Sequence, residues 1–392
     1  MRLLYVIDSL APGGAETSLA EMAPHLVAQG IELHVLPLGA RLDLAVRLEE
    51  GGAVVHPRQA ASGRAGNVRA VLGTMRATRP TLVHTTLFEA DVAGRAAARL
   101  RRVPVSTSLV NDSYGASHRA ESPAPKLVLA RAVDATTARL ATRFHAISGS
   151  VADAVAPRLG VRRELVEVIP RGRDPRRFPY RAHAVRARVR AELRLAPDAP
   201  VVLAVGRLEP QKGLQNLLAA LPAVQATLPR TVVLVAGKEG RSGPRLRAQA
   251  AASQGDVRFL GHRSDIADLM AAADVLCFPS EREGFGGVLI EALAVGCPVV
   301  ATAIPTSVEV LGQGPDAVGL VPPVGQPRAL EGALVEVLTD AVGAEARARR
   351  GRARFEGRFT VEHVSREMAG FFARVEAAGT TPAGRPRSPS SN

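Results

Sequence analysis

The chain has 392 residues, room for about two domains at the usual ~100–200 residues each, and 46% are hydrophobic, which excludes global disorder. Fifty Lys and Arg against 37 Asp and Glu leave a net charge of +13, yet only 3% of the chain is aromatic and no nucleic-acid-binding motif is visible, so a nucleic-acid partner is disfavoured. Lysine occurs only at Lys126, Lys212 and Lys238; the remaining basic residues are arginine, a bias that reads as a solvated Arg-rich surface before it reads as an anion-binding footprint.

Leu3–Ile7 reads as a buried parallel strand; its apolar stretch is short and ends at Asp8, so it does not read as a signal peptide. Ala15–Gln29 follows as a helix that stops at Gly30. Leu33–Leu36, Leu82–His84, Val103–Leu109 and Phe144–Ile147 are further strand candidates, separated by helical stretches rich in Ala, Arg and Leu. The rhythm restarts near residue 200 with Val201–Val205, Val232–Ala236, Val257–Leu260, Val275–Phe278 and Val299–Ala301, linked by helical patterns such as Leu214–Thr227 and Gly287–Val295. Such alternation predicts parallel sheets covered on both faces. A Pro- and Arg-rich connector, Ile169–Pro179, divides the series. The expected organisation is an α/β chain with a first domain over residues 1–175, a second over 176–359, a terminal helix over 360–378 and a polar, disordered tail over 379–392. Residues 158–194 hold twelve arginines against four acids, read first as an exposed linker and helix face. No run approaches the ~20 apolar residues of a membrane helix. The expected location is cytoplasmic, with peripheral contact of a basic face with anionic lipid at the inner membrane left open. Cys277 and Cys297 lie in apolar runs without a neighbouring His or Lys, and are expected to be reduced and without a catalytic role.

Open parallel sheets bind ligands beyond the carboxyl ends of their strands, and three loops there carry chemistry. After the first strand, Asp8-Ser-Leu-Ala-Pro-Gly13-Gly14 opens a helix whose free amides suit an anion. It is not a G-x-G-x-x-G, and no acid ends the second strand, which disfavours a nicotinamide dinucleotide. After Val201–Val205 comes Gly206-Arg207-Leu-Glu-Pro-Gln-Lys212-Gly213, which sets a planar guanidinium and a compact ammonium on one loop, a pair suited to a diphosphate. After Val275–Phe278 comes Pro279-Ser-Glu-Arg-Glu283-Gly-Phe285-Gly286-Gly287, with Glu291 in the helix that follows. Its carboxylates suit sugar hydroxyls, and a buried Glu291 would require a partner.

With these residues the chain resembles the retaining glycosyltransferases of the GT-B fold, the family-four (glycosyl transferases group 1) type, over about residues 1–375. The most specific pieces are Gly206-Arg-Leu…Lys212-Gly213 and Glu283-Gly-Phe-Gly…Glu291; Pro12-Gly-Gly-Ala-Glu16, Ala146-Ile-Ser148, Val168-Ile-Pro170 and Val257-Arg-Phe-Leu-Gly261 support them. The resemblance implies two Rossmann-like, doubly wound domains facing a central cleft, with the acceptor in the first, a nucleoside-diphosphate sugar in the second, and a C-terminal helix that crosses back to the first. It implies Arg207 and Lys212 on the donor diphosphate, within the loop opened by Gly206. It also implies Glu283 on the donor sugar, amides near Phe285, Gly286 and Gly287 beside it, Glu291 on the ribose, and Gly13 and Gly14 closing over the phosphates. No metal and no resident cofactor are implied; the nucleotide sugar is a co-substrate, and the acceptor is an unassigned glycan, lipid or small molecule.

The chain departs from the family pattern in places. Ser108-Leu-Val-Asn111-Asp112-Ser-Tyr114 lacks the histidine many relatives carry there, and Thr86 stands where a second histidine often follows His84. His84 and His118 are therefore candidates, with a structural or surface role favoured for each. Ile304-Pro-Thr306 replaces a frequent Gly-Gly, and the loop Gly237-Lys-Glu-Gly240 is also altered. These differences bear on acceptor and sugar identity more than on the reaction. The expected function is transfer of a sugar from a nucleoside-diphosphate sugar with retention. The alternatives are a GT-B-fold sugar-nucleotide epimerase and a non-catalytic partner of an active transferase.

Overall fold

The computed structural model describes residues 1–57, 63–112, 114–115, 124–253 and 255–380. The chain divides into two compact units, residues 1–172 together with the segment from 361 onward, and residues 173–360.

In the first unit the described residues form a seven-stranded parallel sheet in the order β3-β2-β1-β4-β5-β6-β7. Its strands are β1 (Arg2–Ile7), β2 (Glu32–Pro37), β3 (Val54–Val55), β4 (Leu82–Thr86), β5 (Val105–Leu109), β6 (Arg143–Ala146) and β7 (Val166–Val168). The order reverses at β1, which pairs Leu3 with Leu33 on one side and with Leu82 on the other. Two short edge strands, β3 and β7, have no periodic signal of their own and form because β2 and β6 offer unpaired edges.

β1 is apolar from Leu3 to Ile7 apart from the Tyr5 hydroxyl, as burial on both faces requires, and β2 is mostly apolar, with Glu32 exposed at its start and His34 partnered by Glu32 and His56. β4 and β5 are not: His84, Thr85, Thr86, Ser106, Thr107 and Ser108 are all buried. Each therefore needs a partner, and the two strands supply one another. Thr85 Oγ1 meets Thr107 Oγ1 at 2.7 Å, and the His84 nitrogens meet Ser106 Oγ and Ser108 Oγ at 2.8 Å. The chain of bonds has a direction. His145 Nε2 faces the Ile169 carbonyl at 2.8 Å and must donate, so its Nδ1 accepts from Ser108 Oγ at 2.7 Å. Ser108 Oγ then accepts from His84 Nε2, and His84 Nδ1 accepts from Ser106. Both rings are neutral: burial lowers His84 well below the usual histidine range and His145 to about 4.

The terminal helix, Val361–Thr380, belongs to this unit. Val361, Val364, Met368, Phe371, Phe372 and Val375 recur at helical spacing and enter one core with Leu3, Tyr5, Ile7 and Leu19. The helix runs two residues beyond its expected end at 378, so Gly379 and Thr380 are helical, not tail; the rest of the expected disordered tail lies outside the described residues. At Gly379 a Cβ would overlap the Pro104 ring, so the last turn packs closely.

In the second unit the described residues form a five-stranded parallel sheet in the order β10-β9-β8-β11-β12. The strands are β8 (Val201–Val205), β9 (Val232–Ala236), β10 (Asp256–Gly261), β11 (Val275–Phe278) and β12 (Val299–Ala301), all but β10 fully apolar. The order reverses at β8, so β11 lies beside it. The carboxyl ends of β8 and β11 thus meet where a doubly wound sheet leaves a crevice.

Docking of the terminal helix rests on its aromatic pair. Phe372 is fully buried and meets the His84 ring edge-on at 5.0 Å. Phe372→Ala is expected to lower the unfolding free energy of the first unit by about 3–5 kcal/mol. Urea unfolding checks this; a loss below about 1 kcal/mol would mean the helix is not part of that core.

Candidate functional site

In the second unit the loops after β8 and β11 are laced together. Gly213 has φ +63°, and a Cβ there would overlap the Pro279 carbonyl, so only glycine allows this approach. Glu281 donates its amide to the Gln211 carbonyl at 2.9 Å, and its carboxylate accepts from Gln215 at 2.9 Å. The loop after β12 adds support, with Thr302 donating its amide to the Phe278 carbonyl at 3.0 Å and its hydroxyl to the Ser280 carbonyl. On the other side a Cβ at Gly237 would overlap the Gly206 carbonyl.

This lacing brings Lys212 and Glu283 into a direct ion pair. Both side chains are mostly buried, at 20% and 15% exposure, so the pair is partly withdrawn from water. Ser280 Oγ donates to the same Glu283 oxygen at 3.0 Å, and the Lys212 ammonium stands 6.0 Å from the centre of the Phe278 ring. Arg207 lies on the same loop but is exposed. Lys212 and Glu283, read from sequence as contacts to two parts of one ligand, are thus also partners of each other.

The helix Gly287–Val295 starts directly after this loop and has no side-chain cap, so no cap side chain satisfies its first amides. Gly286 takes φ +72° against the Phe278 ring, while Phe285 is buried edge-on to Phe359 at 6.4 Å. Glu291 finds the partner its burial requires in Arg173, whose Nε donates to Oε1 at 2.7 Å. Sequence reasoning did not single out Arg173. It stands 118 positions from Glu291, and only the path of the connector joins them.

In the first unit, Gly13 and Gly14 open the helix Gly14–Ala28 beyond the end of β1, again without a side-chain cap. A Cβ on Gly14 would strike the Arg171 guanidinium. His84 is a core residue, as its hydrogen bonds show, and His118 lies outside the described residues. Cys277 and Cys297 are buried and unbridged, with both thiols pushed up by burial, Cys297 to about 12.

A second polar site is one the sequence did not reveal. The helix Phe88–Arg101 carries Asp91 and the fully buried Arg95. Asp91 and Arg95 are four residues apart, a spacing that reads as a surface pair on one helix face. Burial instead puts Asp91 on the wall of a cavity beside Asp8, Tyr114 and Asp134, with Arg95 behind it bonded to Asp134.

Comparison with known proteins follows this division of the chain. Residues 185–355 match the model of glycosyl transferases group 1, and residues 12–177 that of glycosyltransferase family 4. A glycogen synthase of Mycobacterium tuberculosis is 30% identical over 330 residues, covering 83% of this chain and 76% of the relative. A D-inositol 3-phosphate glycosyltransferase of Jonesia denitrificans is 28% identical, covering 95% and 93%. Among solved structures, Anabaena Alr3699/HepE in complex with UDP is 25% identical with a TM-score of 0.82, covering 95% of this chain and 100% of that one. The fold is GT-B.

The contact between the two loops can be separated from backbone strain. Gly325 also has positive φ, +70°, but a Cβ there meets nothing within 4 Å. Gly325→Ala is expected to cost about 1–2 kcal/mol, and Gly213→Ala clearly more, because the Pro279 segment must also move. Thermal melts of the two variants check this; equal losses would show that the loops do not press together.

Proposed function

Because the chain belongs to the group 1 glycosyltransferases, we propose that it moves a sugar from a nucleoside-diphosphate sugar to an acceptor hydroxyl with retention at the anomeric carbon, in glycan, glycolipid or cell-envelope polysaccharide synthesis. The observation that carries this reading is the ion pair of Lys212 and Glu283 at the sheet's switch point, beside an uncapped helix N-terminus and the exposed Arg207. Solved relatives support the donor class, since Alr3699/HepE is described in complex with UDP and with UDP-glucose.

In this reading the pair holds the place of the donor. As the sugar–phosphate bond breaks, negative charge grows on the leaving diphosphate, and an ammonium already turned to it when the donor binds stabilises that charge. The Lys212 ammonium turns from Glu283 to the phosphate, Arg207 folds onto it from solvent, and the released Glu283 carboxylate accepts hydroxyls of the donor sugar. The amides of Gly286 and Gly287 face the same charge. Glu291, held by Arg173, accepts the ribose hydroxyls. The acceptor hydroxyl attacks from the face the diphosphate leaves, and the phosphate takes its proton. These groups balance the diphosphate charge without a metal or a resident cofactor.

We place the reaction in the cytoplasm. Among the described residues no helix is long and apolar enough to cross a membrane. The arginines of residues 158–194 are largely committed to carboxylates: Arg173 to Glu291, Arg181 to Glu345, Arg186 to Asp274 and Arg188 to Asp268. A cation already neutralised attracts little lipid charge, so any contact with anionic membrane is weak. Co-sedimentation with phosphatidylglycerol vesicles at about 0.15 M salt, where charges are screened beyond ~8 Å, should recover little protein. Strong recovery that falls with salt would restore a membrane role.

Lys212→Ala and Arg207→Ala are expected to lower kcat by about 10²–10³. Glu291→Ala should chiefly raise the donor KM, because the ribose does not change along the reaction. Lys212→Arg should also be impaired, since a guanidinium does not reproduce a compact ammonium. Release of nucleoside diphosphate from UDP- and GDP-sugars measures all four. A near-normal kcat in folded Lys212→Ala would remove the diphosphate from this loop.

A further inference from the structure

The first unit holds a cavity of about 300 Å³ at the carboxyl ends of β1, β4 and β5. One side is apolar, built from Leu87, Leu109, Leu127 and Leu159. The other side is acidic, with Asp8, Asp91 and Asp134. In a chain of net charge +13 this concentration of acid is not compositional.

The three carboxyl groups are not equivalent. Asp134 is satisfied on both oxygens: Arg95 Nη1 donates to Oδ1 at 2.6 Å and the Tyr114 hydroxyl donates to Oδ2 at 2.8 Å. Asp8 caps the helix Phe88–Arg101, accepting from the Ala90 amide at 2.7 Å. Asp91 is 7% exposed, and its Oδ1 is buried without a hydrogen-bond partner. Its nearest cation, Arg95, stands 3.7 Å away at Nη2 while committing Nη1 to Asp134 and Nε to Thr107. A buried carboxyl oxygen left without a donor costs stability, and such costs persist where a ligand supplies the donor. Leu87 and Tyr114, both at the rim, hold positive φ values of 79° and 67°, strained for residues with side chains.

We propose that this cavity binds one hydroxyl-rich, unphosphorylated ring of the acceptor, with the Asp91 carboxyl bonding a hydroxyl and the acidic wall rejecting phosphate esters. The acceptor role rests on the transferase reading above; the ligand class rests on the cavity itself. Among the described residues no cation lines the cavity, and Arg95 lies fully buried behind it, so a phosphate entering here would meet the carboxylates of Asp8 and Asp134 with no guanidinium in reach. An ammonium is the less favoured ligand. Burial pushes Asp91 up to about 8 and Asp8 to about 6, so Asp91 is largely neutral at pH 7 and offers a hydrogen-bonding surface more than a counter-charge. The apolar side suits the C–H face of a sugar or cyclitol.

The test is ligand-observed NMR titration of the full chain with glucose and myo-inositol, with a monophosphate ester of each, and with glucosamine. At least one neutral ring is expected to bind in the millimolar range, its phosphate ester at least about tenfold more weakly, and glucosamine no more tightly than glucose. Asp91→Ala should weaken the neutral ring about tenfold, about one lost charge-free hydrogen-bond pair. Asp91→Asn, which keeps one acceptor oxygen, should retain part of the binding. Asp91→Asn also separates a binding role from a structural one. A carboxyl whose folded pKa is raised loses stability as pH climbs from about 4 towards 8, so at pH 8 this variant should melt no lower than the parent chain. Absence of binding by both neutral rings, tighter binding of a phosphate ester, tenfold tighter binding of glucosamine, or unchanged binding in Asp91→Ala would each overturn the proposal. Thermal shift with UDP and GDP tests the donor site separately; its failure would count against the transferase reading and leave the cavity to be judged by its own titrations.

Discussion

The ion pair between Lys212 and Glu283 exists because β11 returns to lie beside β8. The two residues are 71 positions apart, and no local preference joins them. What joins them is the reversal of strand order in the second sheet, which sets the ends of two non-consecutive strands side by side. Glycine completes the approach: Gly213 lets one loop press on the Pro279 carbonyl, and Gly237 does the same against Gly206. The partly buried pair is then held by Ser280 and flanked by the Phe278 ring, which keeps the ammonium in one place.

The first unit answers the same topology with different chemistry. Its middle strands, β4 and β5, are buried but polar, and they hold together through a directed chain of hydroxyl and imidazole bonds ending on the Ile169 carbonyl. Such a network specifies register, since a slip by one residue would orphan every member. Arg95 belongs to the same logic, a fully buried guanidinium whose partners come from β5 and from the helix Ala124–Ala138. Asp91 Oδ1 and Arg95 Nη2 are left over, both buried without a hydrogen-bond partner. One unit therefore presents a partly buried lysine–glutamate pair at its switch point, and the other a buried, incompletely satisfied acid.

Much of this was legible from residue order. Continuous apolar runs such as VVLAV and VVLVA can only be strands covered on both faces, and they fell where expected. The spacing Val361, Val364, Met368, Phe371, Val375 marks a docked helix, though its last turn ran on through Gly379 where glycine and threonine suggested a tail. The edge strands Val54–Val55 and Val166–Val168 were not legible, because two or three residues carry no period and pair only once a neighbouring edge is present. The loops bearing Arg207, Lys212, Glu283 and Glu291 stood out because glycines, acids and a rare lysine cluster at strand ends.

What the residue order determined by itself was the set of local preferences: which segments are apolar, where the backbone must turn, which loops carry charge. The tertiary structure decided the pairings. It matched Glu291 with Arg173 and Lys212 with Glu283, turned His84 inward, and converted Asp91 and Arg95 from an ordinary i, i+4 pair into a buried, incompletely satisfied site. The reason is physical. Side-chain periodicity reports which face of an element is buried, but the energy of a buried charge depends on partners that arrive from distant parts of the chain.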